Sequence, residues 1–332
     1  MAEYKGVMVL GEVIDDKLAA ITTEILGCGR RLADELKEEL SCILMGGEVA
    51  KVADEAIAFG ADKVYIAEDS LLKDYRTDSY IVVTEKIVQE ATPRILLLGQ
   101  TAVGRDLAPK LAFRLGTSLA TDCLELEVDT KAKLLSATRS VYGGNARAIF
   151  TSESLPQMAT ARQKAMSPLE RDDSRKGEII SVKVEIDPAE IRTDVIEKVE
   201  EEAAGIKLED ASIIVSGGRG IGGPEGFEQL EELAKILKGA LGASRPPCDN
   251  GWTPTTAQVG LTGKIVAPDL YIAVAISGAS QHLAGCSGSK NIVAINRDAE
   301  ANIFKEARLG VVADWKQIIP PLTERVRELM AG

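Results

Sequence analysis

The sequence predicts an α/β protein of two domains, each a mostly parallel sheet flanked by helices, on three observations. Short apolar runs alternate with segments of helical period along most of the chain. One stretch, 187–205, interrupts that alternation with Pro188, dense charge and few large apolar residues. The third is length: 332 residues is long for one core and comfortable for two.

Taken in order, Val7–Leu10, Cys42–Met45, Val64–Ile66 and Ile95–Gly99 read as buried strands, continuous in apolar character and too short for helices. Glu48–Phe59 reads as a helix because Val49, Val52, Ala53 and Ala56 recur at i, i+3, i+4 and i+7 on one face, and Ile81–Val88 and Leu107–Leu115 repeat the pattern. Such alternation implies right-handed crossovers and a parallel sheet covered on both faces. Beyond Thr121 the segments Cys123–Val128, Ala146–Phe150 and Ile179–Ile186 are strand-like, so the first domain is expected to finish with added edge strands. Asp187–Gly205 reads as a solvated helix or linker, which puts the boundary near residue 200, within about ten residues. This divides the chain into 1–200 and 201–332. The second domain opens with a strand at Ser212–Val215, a glycine cluster at Gly217–Gly223 and an amphipathic helix at Gly226–Leu241. Strands follow at Leu270–Ile276, Ile292–Ile295 and Val311–Val312, each leading into small or polar residues, as when binding loops line the carboxyl edge of a sheet.

Composition removes several classes of function. A net charge of -12, with no gathered Lys and Arg, argues against a nucleic-acid surface. The start of the chain lacks a signal-peptide pattern and no apolar run reaches membrane-spanning length, so a cytoplasmic protein without membrane insertion is expected. The five cysteines are scattered, with no C-x-x-C pair; they read as structural thiols, and no metal site is expected. With His282 the single histidine, a nucleophile–histidine mechanism has only one possible base.

Three loops of the second domain carry the chemistry. Gly218–Gly223 matches G-x-G-x-x-G between a strand and a helix, where backbone N–H groups can face a pyrophosphate. The same loop also suits an NAD-dependent oxidoreductase, but the acidic residue expected about 20 positions on to hold the ribose is replaced by Ala240-Leu241-Gly242-Ala243-Ser244. Its plainest reading is a flexible turn. Ser277-Gly278-Ala279-Ser280-Gln281-His282 places small residues where a helix begins, either as an anion-facing start or as simple capping by Ser277. Between them, Ser244-Arg245 and Gln258-Val259-Gly260-Leu261-Thr262-Gly263-Lys264 supply charge and two glycines that admit a planar ligand, or else form surface turns. Together the loops suggest a dinucleotide site without naming the dinucleotide.

Ser244-Arg245 followed by Asp249-Asn250-Gly251-Trp252, then the run Gln258 to Val274, then Ile276 to Gly285, and finally Ile292 to Asn296, closely resemble the alpha subunit of electron-transfer flavoproteins. The resemblance spans Ser212 to about Pro320 in order; in the first domain it is looser and rests on strand order and Arg139-Ser140-Val141-Tyr142-Gly143-Gly144-Asn145-Ala146. It implies a Rossmann-like C-terminal domain holding FAD in extended form, with contacts at Arg219, Ser244, Arg245, Gln258, Val259, Gly260, Leu261, Thr262, Ser277, Gly278, Ala279, Ser280, Gln281, His282, Asn296 and Asp314. Within that pattern Thr262 lies by the flavin N5, His282 by the C2 carbonyl and Arg245 across the ring, while Asn296 and Asp314 serve the adenosine end. No catalytic residue is implied; Arg245, Thr262 and His282 tune the potential. A unit charge about 4 Å from the flavin at an effective dielectric near 20 is worth about 4 kcal/mol, or on the order of 170 mV before screening. The departures are Pro246, Pro247 and Cys248 for small apolar residues, Ala275 for a frequent Gly, and Ser280 for a frequent Ile. The resemblance further implies a beta subunit as partner, subunit contacts through the first domain, and electron exchange with flavin dehydrogenases such as acyl-CoA dehydrogenases. It fits simple carriers and electron-bifurcating complexes alike.

Overall fold

The computed structural model describes residues 3–142, 146–197 and 206–331. Among these, the chain forms two compact units, 3–141 with 147–197, and 206–331. The expected boundary near residue 200 falls in 198–205, and Gly143-Gly144-Asn145 in 143–145; both stretches lie outside the described residues.

The first unit runs β1 (Val7–Gly11), a small hairpin of β2 (Val13–Ile14) and β3 (Lys17–Leu18), α1 (Ala20–Leu36), β4 (Leu40–Gly46), α2 (Ala53–Ala58) and β5 (Lys63–Glu68). It continues through α3 (Thr77–Ala91), β6 (Ile95–Gly99), α4 (Ala102–Leu115), β7 (Leu119–Asp129), β8 (Leu134–Val141), β9 (Ala146–Phe150), β10 (Gln157–Ala161) and β11 (Glu178–Ser181). Nine strands form one sheet in the order β11-β5-β4-β1-β6-β10-β7-β8-β9, parallel from β11 to β7, with β8 antiparallel to β7. The central strand shows why continuous apolar runs were needed. Val7 and Val9 pack with Ile25, Leu26 and Leu32 of α1 on one face, whereas Met8 and Leu10 pack with Ile87 of α3 and Leu107 and Leu111 of α4 on the other.

The second unit runs β12 (Ile213–Gly217), α5 (Pro224–Ile236), β13 (Ala240–Ala243), α6 (Arg245–Asp249), β14 (Leu270–Val274), α7 (Ser280–Cys286), β15 (Ile292–Asn296), α8 (Ile303–Glu306), β16 (Leu309–Val312) and α9 (Trp315–Ala331). Its five strands are all parallel, in the order β13-β12-β14-β15-β16. Strand order therefore reverses between β12 and β14, the topological switch point at which open α/β sheets bind ligands.

Both units are α/β with helices on the sheet faces, as expected, and strands β8, β10 and β13 join those read from the sequence, while three expected elements end elsewhere than expected. The expected helix Gly226–Leu241 stops at Ile236; Lys238 takes a left-handed φ of 52° and Gly239 bonds back to the Ala234 carbonyl, releasing the chain into β13. Glu48–Phe59 splits into a 3-10 turn at Ala50–Val52 and the short α2, because the Glu68 carboxylate takes the N–H groups of Val49 and Ala50 and fixes the entry. The expected strand Ile179–Ile186 instead spans Glu178–Ser181, with Val182 N–H still bonding the Ile66 carbonyl at 2.7 Å, while Val182, Val184 and Ile186 pack against the core beside α3. Among the described residues, no helix is long and apolar enough to cross a membrane, no group of side chains suits a metal ion, and all five cysteines are buried thiols.

Candidate cofactor-binding site

Most residues singled out in the second unit sit immediately beyond the carboxyl ends of its five strands. Gly218 and Arg219 follow β12, Ser244 and Arg245 follow β13, the 277–282 loop follows β14, Asn296 closes β15, and Asp314 lies just past β16. At the switch point the backbones are almost in contact. Gly218 N–H bonds the Val274 carbonyl at 2.9 Å, and a Cβ at Gly218 would lie 2.1 Å from the Ala275 oxygen. Ala275 itself holds a left-handed φ of 53°, a conformation that favours glycine.

The 258–262 segment reaches this edge from elsewhere in the chain and is stitched in place on two sides. Val259 N–H donates to the Ala243 carbonyl at 2.8 Å and Leu261 N–H to the Gln281 carbonyl at 2.7 Å. Gly260, at φ +149°, packs so closely on α7 that a Cβ at Gly285 would lie 2.4 Å from its nitrogen. Gln258 Nε2 donates to Thr262 Oγ1 at 3.0 Å. The result is a rim on which Arg219, Arg245, Leu261, Thr262, Ser277, Ala279, Ser280, Gln281 and Asp314 are exposed, over a floor of buried Val259, Gly260, Gly278, His282 and Asn296.

One end of the rim is a cleft of about 190 Å³ where Gly220 and Gly222 face Asn296, Asp314 and Lys316. Asn296 is anchored, its Nδ2 donating to the Ile276 carbonyl at 2.8 Å and its Oδ1 accepting from Asp298 N–H at 3.0 Å. A larger cavity of about 930 Å³ lies against α5, β13 and Trp252, but it contains none of the residues at the strand ends. The strand-end rim is the better site because glycine backbones, a switch point and convergent polar groups meet there. Its construction suits an anionic ligand, with backbone at Arg219 and Gly220, rather than the engaged N–H groups of Gly218, Ile221 and Gly222, at the cleft and polar side chains at Asn296 and Asp314 beyond it. The end of β13, where NAD-binding folds carry an acidic residue for the ribose, instead presents Ser244 and Arg245, which disfavours the NAD reading.

Two electrostatic expectations change. Arg245 is exposed and its Nε pairs with Asp249 Oδ2 at 3.1 Å, so the cation expected across the ring arrives partly compensated. His282 brings no positive charge: burial pushes its pKa down to about 4, and both ring nitrogens are engaged, Nε2 with the Tyr271 hydroxyl and Nδ1 with the Val259 carbonyl, each at 3.0 Å. Neither Tyr271 nor the anchoring of Asn296 was anticipated. A tyrosine inside an otherwise aliphatic buried strand, Leu270–Val274, was the available signal.

A doubly wound domain with a glycine-floored cleft at its strand ends has the construction of nucleotide- and flavin-binding proteins. Comparison with known proteins narrows this. Residues 7–187 match the electron transfer flavoprotein domain family and residues 207–287 the electron transfer flavoprotein FAD-binding domain family. The chain is 44% identical to the electron transfer flavoprotein subunit alpha of Thermoanaerobacterium thermosaccharolyticum over 330 residues, covering 99% of this chain and 100% of the relative. It is 44% identical to the subunit alpha of Bacillus subtilis over 327 residues, 98% of each, and 40% identical to Protein FixB of Azorhizobium caulinodans over 329 residues, 98% of this chain and 89% of the relative. The chain belongs to the electron transfer flavoprotein alpha-subunit family; its cofactor is FAD and its work is electron transfer. The family implies a beta subunit as partner.

Proposed function

We propose that this chain holds FAD in extended form along the carboxyl edge of the second unit's sheet. In complex with a beta subunit in the cytoplasm, it relays electrons from flavin dehydrogenases, such as acyl-CoA dehydrogenases, to a downstream acceptor. The observation that carries this reading is the convergence of the predicted contacts on the ends of all five strands, with the separate 258–262 loop stitched beside them. Bound there, FAD supplies one- and two-electron redox chemistry. The chain's own part is to bind and orient. Backbone at Arg219 and Gly220 receives the pyrophosphate, Asn296 and Asp314 the adenosine end, and Ser244, Gln258–Thr262 and Ser277–His282 the ring end. Arg245 adds a solvent-screened positive field, so Arg245→Ala is expected to lower the flavin potential by only tens of mV, on the order of a third of the unscreened value or less. The first unit is proposed for subunit contacts, supported by the edge strand β9, on which Ile149 is 71% and Phe150 40% exposed.

The test is a visible spectrum of the natively co-purified complex, with flavin counted per heterodimer during stepwise anaerobic reduction. One FAD indicates a single-site carrier. Two indicate a second site on the partner and favour bifurcation. A colourless complex that takes up no added FAD refutes the reading.

A further inference from the structure

Helix α7 carries a buried glycine that nearly any other residue except proline would improve as a helix former, yet Gly285 has no room for a side chain. A Cβ there would lie 2.4 Å from the Gly260 nitrogen, 2.5 Å from its Cα and 3.0 Å from its carbonyl carbon, all backbone atoms that no rotamer change can withdraw. Two backbone bonds straddle this crossing: Leu261 N–H donates to the Gln281 carbonyl at 2.7 Å, and Val266 N–H to the Gly285 carbonyl at 2.8 Å. The loop itself has little slack. Gly260 N–H donates to the Lys264 carbonyl at 3.1 Å, Lys264 N–H to the Gln258 carbonyl at 2.7 Å and Gly263 N–H to the Gly260 carbonyl at 3.0 Å, so 258–264 is closed on itself and moves as one piece.

We infer that Gly285 is a positioning residue for Thr262: its bare backbone lets α7 and the 258–264 loop cross in contact, and that contact sets how far Thr262 stands out at the rim. A methyl group at Gly285 needs about 1 Å more room, the step from 2.4 Å to an ordinary contact of 3.4 Å. On its other side the loop is tied to β13 by Val259 N–H and the Ala243 carbonyl at 2.8 Å, so it yields by tilting about that tie and carries Thr262 with it. The bearing on the flavin rests on the function proposed above; the seating of the loop does not.

Amide hydrogen exchange on the full chain reads the seating directly. In the wild type Leu261 and Val266, the two donors to α7, are expected to open together, with protection within roughly thirtyfold of each other. Gly285→Ala is expected to speed both by roughly tenfold or more while the amides of β12 and β15 keep their protection. A smaller acceleration, an equal acceleration in those strands, or a wider gap in the wild type overturns the seating; the wild-type comparison needs no variant and decides the matter if Gly285→Ala does not fold. In the flavin-loaded complex, Gly285→Ala is expected to weaken the preference for the reduced ring about tenfold, a shift of about 59 mV to more negative potential for one electron, because the Thr262 hydroxyl is drawn away from a ring that gains negative charge. With Thr262→Val in place, the same substitution should add nothing. An added shift in that background, or an unmoved potential in Gly285→Ala where Thr262→Val moves it, overturns the path through Thr262. A Thr262→Val potential equal to that of the wild type instead refutes the placing of Thr262 beside the flavin and leaves the seating of the loop by Gly285 standing.

Discussion

The two sheets of this chain share a parallel construction yet finish their carboxyl edges in opposite ways. In the first unit the edge is filled by the chain itself. Glu12, just past β1, accepts from Thr101 Oγ1 at 2.6 Å, and Thr160 in β10 donates to Gln100, which follows β6. Arg162, just past β10, clamps Asp122 with two bonds of 2.9 and 2.6 Å. In the second unit the corresponding positions include glycine backbone at Gly218 and Gly278 and exposed side chains at Arg219, Ser277 and Asp314, beside the inward-bonded Asn296 and His282. A sheet edge whose polar groups are mutually satisfied has nothing left for a ligand, whereas one floored by glycine has. Fold alone therefore does not single out the proposed site; the filling of the edge does.

The sharpest way to break this contrast is Gly218→Val. With its Cβ 2.1 Å from the Ala275 oxygen, the variant is expected to lose flavin retention by roughly a hundredfold or more, equivalent to about 2.7 kcal/mol, read as the ratio of flavin to protein absorbance after purification. Stoichiometric flavin in that variant would show that the switch point is not the site. The counterpart in the first unit is Arg162→Ala. It strands Asp122 in a pair whose side chains are only 12% and 23% exposed, so stability should fall by about 3 kcal/mol in denaturant titration while the flavin ratio stays unchanged.

Acid separates the units by sign. His282 has its folded pKa depressed from 6.5 to about 4, so the folded second unit binds fewer protons than the unfolded chain between those values, and about 3 kcal/mol of its stability is lost as pH falls through that window. Glu24 in the first unit is displaced the other way, from 4.5 to about 7, chiefly by burial, so its contribution is lost as pH rises from 4.5 to 7. Hydrogen exchange resolved by unit, at pH 4.5 and 7, should show protection declining in opposite directions at 259–286 and around α1; parallel declines would contradict both assignments. The smallest effect is expected from Ala275→Gly, which relieves the left-handed residue at the switch point and should raise the melting midpoint by the equivalent of about 1 kcal/mol.

The fold class and the strand-end loops were legible in the sequence because both are written locally, in apolar runs, helical spacing and glycine clusters. Strands β8, β10 and β13 were not, since Leu134–Val141, Gln157–Ala161 and Ala240–Ala243 lack the continuous β-branched, aliphatic character that marks their neighbours. The electrostatics of the rim were the least legible. His282 reads as a cation-capable group until the fold places a tyrosine and a carbonyl on its two nitrogens, and Arg245 reads as a free charge until α6 brings Asp249 one turn away. Tertiary pairing of this kind leaves no local periodicity to detect.

The position of β10 has a consequence for synthesis on the ribosome. This strand is inserted between β6 and β7 but leaves the exit tunnel after both, and after β8 and β9. Without Gln157–Ala161, β6 and β7 have no strand between them, so any sheet formed earlier would present an open edge that these later residues must join. Premature termination before residue 161 would therefore yield an aggregation-prone fragment rather than a smaller folded domain, and pauses placed just beyond it would favour productive closure.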